Sequence, residues 1–407
     1  MRRRLRAFVA ATSAPLLLAG LAMCDDDDSL GPVIDRPLDP QLAAEGRDIF
    51  RFDTFGDEAF WSDTLRMHEV IRAAVSPRTA LGVGLKVDAD ALPQAVKDAI
   101  SSGQVDLDDP ATTVTLLELN AVVGLQGTVE TVGGEDVLTR VGTTCALCHS
   151  TVDNSFAPGI GRRLDGWPNR DLNVGAIVAL SPALTAAQKA VYNSWGKGKY
   201  DPRFNIDGMN LPVVLPPAFG LRMVRNELYT GDDTISYWNA YVAVTQMHGQ
   251  GTFVDPRLGI SVVRTPDLVT PKLPALREYQ HSLETPEPLS GSFDAAAAQR
   301  GQAVFTGAGR CSTCHIPQRS FTDNNSGRLH DASETGMEPV YATRSVTKRY
   351  RTTPLRGLWR PPLLQGPYFH DGSAATLEAV VEHYDTVRNL NLSAQQQADL
   401  VEYLKTL

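Results

Sequence analysis

The stretch TTCALCHST at residues 143–151 sets Cys145 and Cys148 three apart with His149 directly after them, and GRCSTCHIP at residues 309–317 repeats the arrangement with Cys311, Cys314 and His315. The chain has 407 residues and five cysteines, so these two triplets use four of the five, and a disulfide framework is not what they describe. In a C-x-x-C-H unit both thiols add to the vinyl groups of a haem as thioethers and the histidine becomes the proximal iron ligand. Residues three and four apart share one side of a helical turn, so both sulfurs and the imidazole can face one macrocycle. A thioredoxin-like pair gives no reason for a histidine in the same place twice, and a four-sulfur zinc site leaves both histidines unexplained. The chain must therefore fold around two covalently bound c-type haems, with His149 and His315 as iron ligands. A bound calcium ion is an option that no motif supports.

The first 23 residues place Arg2, Arg3, Arg4 and Arg6 ahead of an apolar stretch, the layout of a secretory signal. LAMC at residues 21–24 resembles a lipoprotein signal in which Cys24 is acylated. Met23 departs from that pattern, and a cut after Ala22 is the alternative. Removing these residues loses four arginines and no acid, which takes the formal net charge from −9 to −13. So acidic a chain lacks the basic footprint of a nucleic-acid binder. Residues 24–41 open with four aspartates and read as a solvated linker. The expected location is the periplasm, or outside the cytoplasmic membrane, with membrane contact only through the lipid anchor.

A helix is expected over the segment before the second triplet, residues 293–309, ended by Gly307 and Gly309. Another is expected at 392–407, with Ser393 as N-cap. A faint repeat sets Gly46, Ile49 and Phe50 in register with Gly301, Val304 and Phe305, so a first domain is expected to open near residue 42, with about ninety inserted residues before Cys145. The Pro- and Ser-containing end of 272–292 reads as a linker, with a boundary near residue 285. The resulting division is 1–23 signal peptide, 24–41 acidic linker, 42–285 N-terminal haem domain with insertions, and 286–407 C-terminal domain. Residues 195–262 are rich in Gly, Pro, Asp and aromatics and read as an ordered loop region, in which 236–248 is the one helix of fair length.

RTTPLRGLWRPPLLQGPYFHDGSAATLEAVVEHY at residues 351–384 resembles the C-terminal haem domain of the bacterial di-haem cytochrome c peroxidase superfamily, which includes the di-haem enzyme that matures methylamine dehydrogenase. The resemblance rests on TPLR at 353–356, PYFHDGS at 367–373 and the following helix, and with both triplets it covers roughly residues 126–407. It implies a mainly α fold of two class I cytochrome c-like haem domains with long loop insertions. It also implies proximal roles for His149 and His315. Tyr384, fourteen residues after His370, falls where the family carries an axial methionine or tyrosine; Met337 is the rival ligand, with His330 and His383 behind it. His370 resembles a residue beside the haem propionates, and Arg356 and Arg344 are candidates for pairing with them. At the first haem no motif transfers a distal role. Met247 and His248, at the end of the expected helix, are the candidates for a sixth ligand or catalytic group, and Trp167, Trp195 and Trp238 for stacking near a porphyrin.

Three functions follow. The first is an oxidoreductase that reduces peroxide, or activates dioxygen, with electrons relayed between two haems. It would take electrons from an exported partner such as a small cytochrome or copper protein. The second is a non-catalytic electron carrier with both irons closed. The third is a dioxygenase like the rubber oxygenases, with the 195–262 region covering an apolar substrate.

Overall fold

Asp39 opens the first helix: its carboxylate accepts from the N–H groups of Gln41 and Leu42, and Pro40 occupies a first-turn position that needs no N–H. The computed structural model describes residues 36–359 and 366–407. The expected signal segment, Cys24 and the aspartate run at 25–28 lie outside the described residues. The helix Pro40–Phe52 buries Gly46, Ile49 and Phe50, and the helix Ala295–Thr306 buries Gly301, Val304 and Phe305.

These matching positions do matching work. A Cβ built on Gly46 would stand 1.9 Å from the carbonyl oxygen of Ala275, on the helix Leu273–Ser282. A Cβ on Gly301 would stand 1.9 Å from that of Asp399, on the helix Ala394–Leu404. At each crossing the backbones are so close that glycine alone fits. One turn on, Phe50 meets Tyr279 edge-on at 5.4 Å and 64°, and Phe305 meets Tyr403 at 5.2 Å and 64°. The faint repeat is thus one half of a duplicated helix crossing. Its other half, LREY at 276–279 against LVEY at 400–403, was legible in the sequence and went unread.

The closing helix Ala394–Leu404 is capped by Ser393 in a reciprocal box with Gln396, and Ala295–Thr306 ends at Gly307, both as expected. The expected helix at 236–248 is shorter and changes pitch. Thr234 caps Ile235–Tyr241, and Val242–Gln246 continues as a π turn, a local widening that re-aims the side chains after it.

The insertion before Cys145 supplies most of a second apolar core, completed by Ile160, Leu172, Val174 and Val178, in which Leu117 and Leu138 are 1% and 0% exposed; it is built from short helices and an antiparallel hairpin of Leu125–Val132 with Glu135–Thr143. Among the described residues strands occur as two-stranded pairs and helices dominate, so the chain is mainly α. Val33–Leu407 forms one compact unit. The expected boundary near 285 falls in the irregular stretch between the helices Leu273–Ser282 and Ala295–Thr306.

Candidate functional site

The hairpin delivers the first triplet. Asp57, fully buried, accepts from the Thr143 N–H at 3.1 Å and the Thr143 hydroxyl at 2.6 Å, pinning the strand end two residues before Cys145. Burial without a cation pushes this carboxyl up to about 8. The turn Ala146–His149 follows. The second triplet sits on the single turn Cys311–Thr313.

Both histidines are held in the same manner. His149 Nδ1 lies 3.2 Å from the Pro216 carbonyl oxygen, and His315 Nδ1 lies 3.0 Å from that of Phe321. A ring N–H at Nδ1 donating to a carbonyl puts the lone pair on Nε2, the tautomer in which metal-bound histidines are held. Burial drops both groups to about 4, so both are neutral imidazoles at neutral pH.

One cavity of about 830 Å³ is lined by both triplets. Its wall is mostly apolar and aromatic, with few polar groups, as cofactor sites are. Of the sequence-derived candidates it gathers Cys145, Cys148, His149, Cys311, Cys314, His315, Met247, His248, His330, Met337, Arg356, His370, Tyr384, Trp195 and Trp238. Two thiols and one neutral imidazole per triplet, on a shared apolar cavity, fit a pair of covalently attached haems.

Distal groups divide by what they are already doing. Tyr384 stands close enough to Cys311 and Cys314 for their charges to act on its phenol, which burial pushes up to about 12, and its ring meets Phe369 edge-on at 6.0 Å. Met337 packs instead against the cluster containing Tyr341 and Tyr350. His383 Nε2 is spent on the Thr335 carbonyl at 2.8 Å, and His330 on Asp323, Glu334 and Thr352, all at 3.1 Å. Arg344 is committed to Asp201 and Asp207 through contacts of 2.7 to 3.2 Å, so of the two arginines proposed for propionates Arg356 alone reaches the cavity. Burial lowers its guanidinium to about 10. His370, 3% exposed, places Nε2 3.2 Å from the Tyr350 hydroxyl.

On the first side, Met247 is 7% exposed in the core that also holds Phe50 and Tyr241. His248 adopts φ +66° and stacks on Phe60 with ring centres 3.6 Å apart; burial drops its pKa to about 4. Trp195 donates to Asn210 at 2.8 Å, while Trp167 packs on Phe219 and Trp359 outside the cavity wall.

Two features escaped the sequence reading. Glu227 lies on the cavity wall, 5% exposed, paired with Arg351 at 3.2 Å while its Oε1 has no partner; nothing local in its sequence marks it. Burial raises this carboxyl despite Arg351 and Arg356. Cys314, Asp323 and His330 have ligand atoms within 4.8 Å of one another, but a Cys314 consumed as a thioether has no thiolate to give a second metal.

The fold is mainly α, and one cavity in it is lined by both C-x-x-C-H triplets. Among curated relatives, the "Methylamine utilization protein MauG" of Methylorubrum extorquens is 34% identical over 130 residues, 28% of this chain and 35% of the relative. The protein of the same name from Methylophilus methylotrophus is 28% identical over 129 residues, 27% and 36% of the two chains. These matches bear out the resemblance to the di-haem cytochrome c peroxidase superfamily. They span about a third of the relatives' length. No protein-family model matches the chain. A solved structure of Kuenenia stuttgartiensis hydrazine synthase pressurized with xenon aligns at 20% identity and TM-score 0.33 over 48% of this chain and 72% of that one, too loosely to carry an argument.

Proposed function

We propose that this chain is an exported di-haem c-type cytochrome of the peroxidase superfamily that reduces peroxide, with electrons relayed between its two haems. The cavity that both triplets line carries the reading: two haems held on it would together store the two electrons a peroxide needs. Cys145 and Cys148 with His149, and Cys311 and Cys314 with His315, would hold them. The haems supply electron exchange and, where an axial position is open, binding of a small oxidant.

The chain's own residues then make the two sites unlike. Thr376 caps the helix Leu377–Val387 and Thr234 caps Ile235–Tyr241, and Tyr384 is the eighth residue after the first cap. The eighth after Thr234 is Val242, which also lines the cavity and has no ligand atom. Tyr384 would close the second iron and stabilise its ferric state, while the first stays open. Arg356 would face propionate carboxylates. The duplicated crossings of helices Pro40–Phe52 with Leu273–Ser282 and Ala295–Thr306 with Ala394–Leu404 support two class I cytochrome c-like domains, 42–285 and 286–407.

The competing electron-carrier reading is favoured by one observation, that Met247 and His248 both reach the cavity wall and either could close the first iron. Electron paramagnetic resonance of the oxidised and one-electron-reduced protein tests between them. A high-spin ferric signal lost on adding cyanide is the expected result. Low-spin ferric signals alone, unaffected by cyanide in either state and only diminishing as the electron enters, would overturn it in favour of the carrier.

A further inference from the structure

On the wall of the shared cavity sits a knot of four aromatic rings, three of them buried, that neither haem attachment nor ligation employs. His370 sits within 5.0 Å of Tyr350, 5.1 Å of Tyr341 and 6.0 Å of Tyr229, ring centre to ring centre. Tyr341 and Tyr350 are each 4% exposed and His370 is 3% exposed, and all four line the shared cavity. One phenol is distinguished by its partners: the Tyr350 oxygen lies 2.5 Å from the Glu338 carbonyl and 3.2 Å from His370 Nε2.

The connectivity of this pair is unusual. His370 accepts through its carbonyl from Val214 N–H at 2.8 Å, two residues before Pro216, whose carbonyl holds His149. Two residues after Tyr350, the Thr352 carbonyl accepts from the Thr322 hydroxyl at 2.6 Å, and Thr322 follows Phe321, whose carbonyl holds His315. The Tyr350–His370 hydrogen bond therefore joins the backbone that supports one proximal histidine to the backbone that supports the other.

We propose that Tyr350 is a redox-active tyrosine that gives one electron to an oxidised haem and passes its phenolic proton to His370 Nε2, leaving a neutral tyrosyl radical beside an imidazolium. One electron and one proton leave the phenol, the haem is reduced by one electron, and the original oxidant is peroxide. The phenolic O–H donates to the Glu338 carbonyl oxygen, which cannot carry the proton away, so on oxidation the proton turns to His370 Nε2, in the tautomer whose Nε2 lone pair faces the phenol. Burial keeps the Tyr350 phenol un-ionised and the His370 ring neutral, so the electron cannot leave before the proton has somewhere to go. Tyr341 and Tyr229 shield the pair from water, which lengthens the life of a radical. The device would hold an oxidising equivalent on the wall of the shared cavity until a second electron arrives.

This rests on the peroxidase reading, and the test separates the two. The intact di-haem protein is mixed with one equivalent of hydrogen peroxide, frozen rapidly and examined by electron paramagnetic resonance, with and without ring-deuterated tyrosine. A radical signal that narrows with the labelled tyrosine, is lost in Tyr350→Phe and survives in Tyr341→Phe and Tyr229→Phe is the expected result, with cyanide binding and the ferric spectra of Tyr350→Phe unchanged. Cyanide binding without any tyrosyl signal, or a signal that persists in Tyr350→Phe, overturns the relay and leaves the peroxidase reading standing. A protein that binds neither cyanide nor peroxide in any redox state overturns both.

Discussion

His149 and His315 each donate Nδ1–H to a backbone carbonyl, and that pairing leaves the Nε2 lone pair as the one able to bind a metal. The cysteines beside them give the simplest test. A Cys145→Ser, Cys148→Ser double variant should carry half the covalent haem per chain, measured as pyridine haemochromogen on denatured protein; unchanged content would remove the first triplet from the account. Tyr384→Phe keeps the ring and deletes the oxygen proposed as a ligand. The second haem should lose its low-spin ferric signal and its reduction potential should rise, because a tyrosinate favours ferric iron; an unmoved potential would return Met337 to consideration. Asp57 makes a prediction about pH. Its folded pKa, about 8, is above the unfolded value near 3.8, so the folded state holds a proton that the unfolded chain has released across that window. Stability due to this group is complete below about pH 4 and is lost as pH rises through 8. Asp57→Asn should flatten that part of the stability profile, measured by chemical denaturation at several pH values.

At the scale of elements, the two helix crossings are the joints on which both triplets depend. Gly301→Ala drives a methyl into the Asp399 carbonyl, so the cost should reach or exceed the ~1–3 kcal/mol of ordinary overpacking. Gly46→Ala should behave alike against Ala275. Gly82, at the end of the helix Pro77–Gly82, has nothing within 4 Å of a built Cβ and serves as the control. Thermal melting should rank Gly82→Ala near wild type and both crossing variants well below it. Equal melting temperatures for all three would mean that the crossings yield easily.

For the whole molecule, what matters is that one cavity is shared and that the chain is acidic, with formal net charge −9. An acidic redox protein attracts a basic donor over distances that salt can screen. Reduction by a small basic cytochrome should slow as ionic strength rises from about 0.01 to 0.15 M, followed by stopped-flow absorbance; a rate indifferent to salt would point to an apolar docking face. Among the described residues no helix is long and apolar enough to cross a membrane.

What the amino-acid sequence determined by itself was local chemistry. Cys145, Cys148 and His149, and their second copies, carry their meaning in their spacing, because a single turn brings them together. Ser393 as a cap, Gly307 as a stop and the Gly46 and Gly301 echo were readable for the same reason: each depends on neighbours within a few residues. Everything that depends on distant chain segments was decided by the tertiary structure. That Arg344 serves Asp201 and Asp207 while Arg356 reaches the cavity, that Glu227 is buried with a bare oxygen, and that Tyr350 meets His370 across twenty residues follow from packing between elements. Spacing cannot encode such contacts, because the chain between the partners can run in many directions and only the closed core selects one.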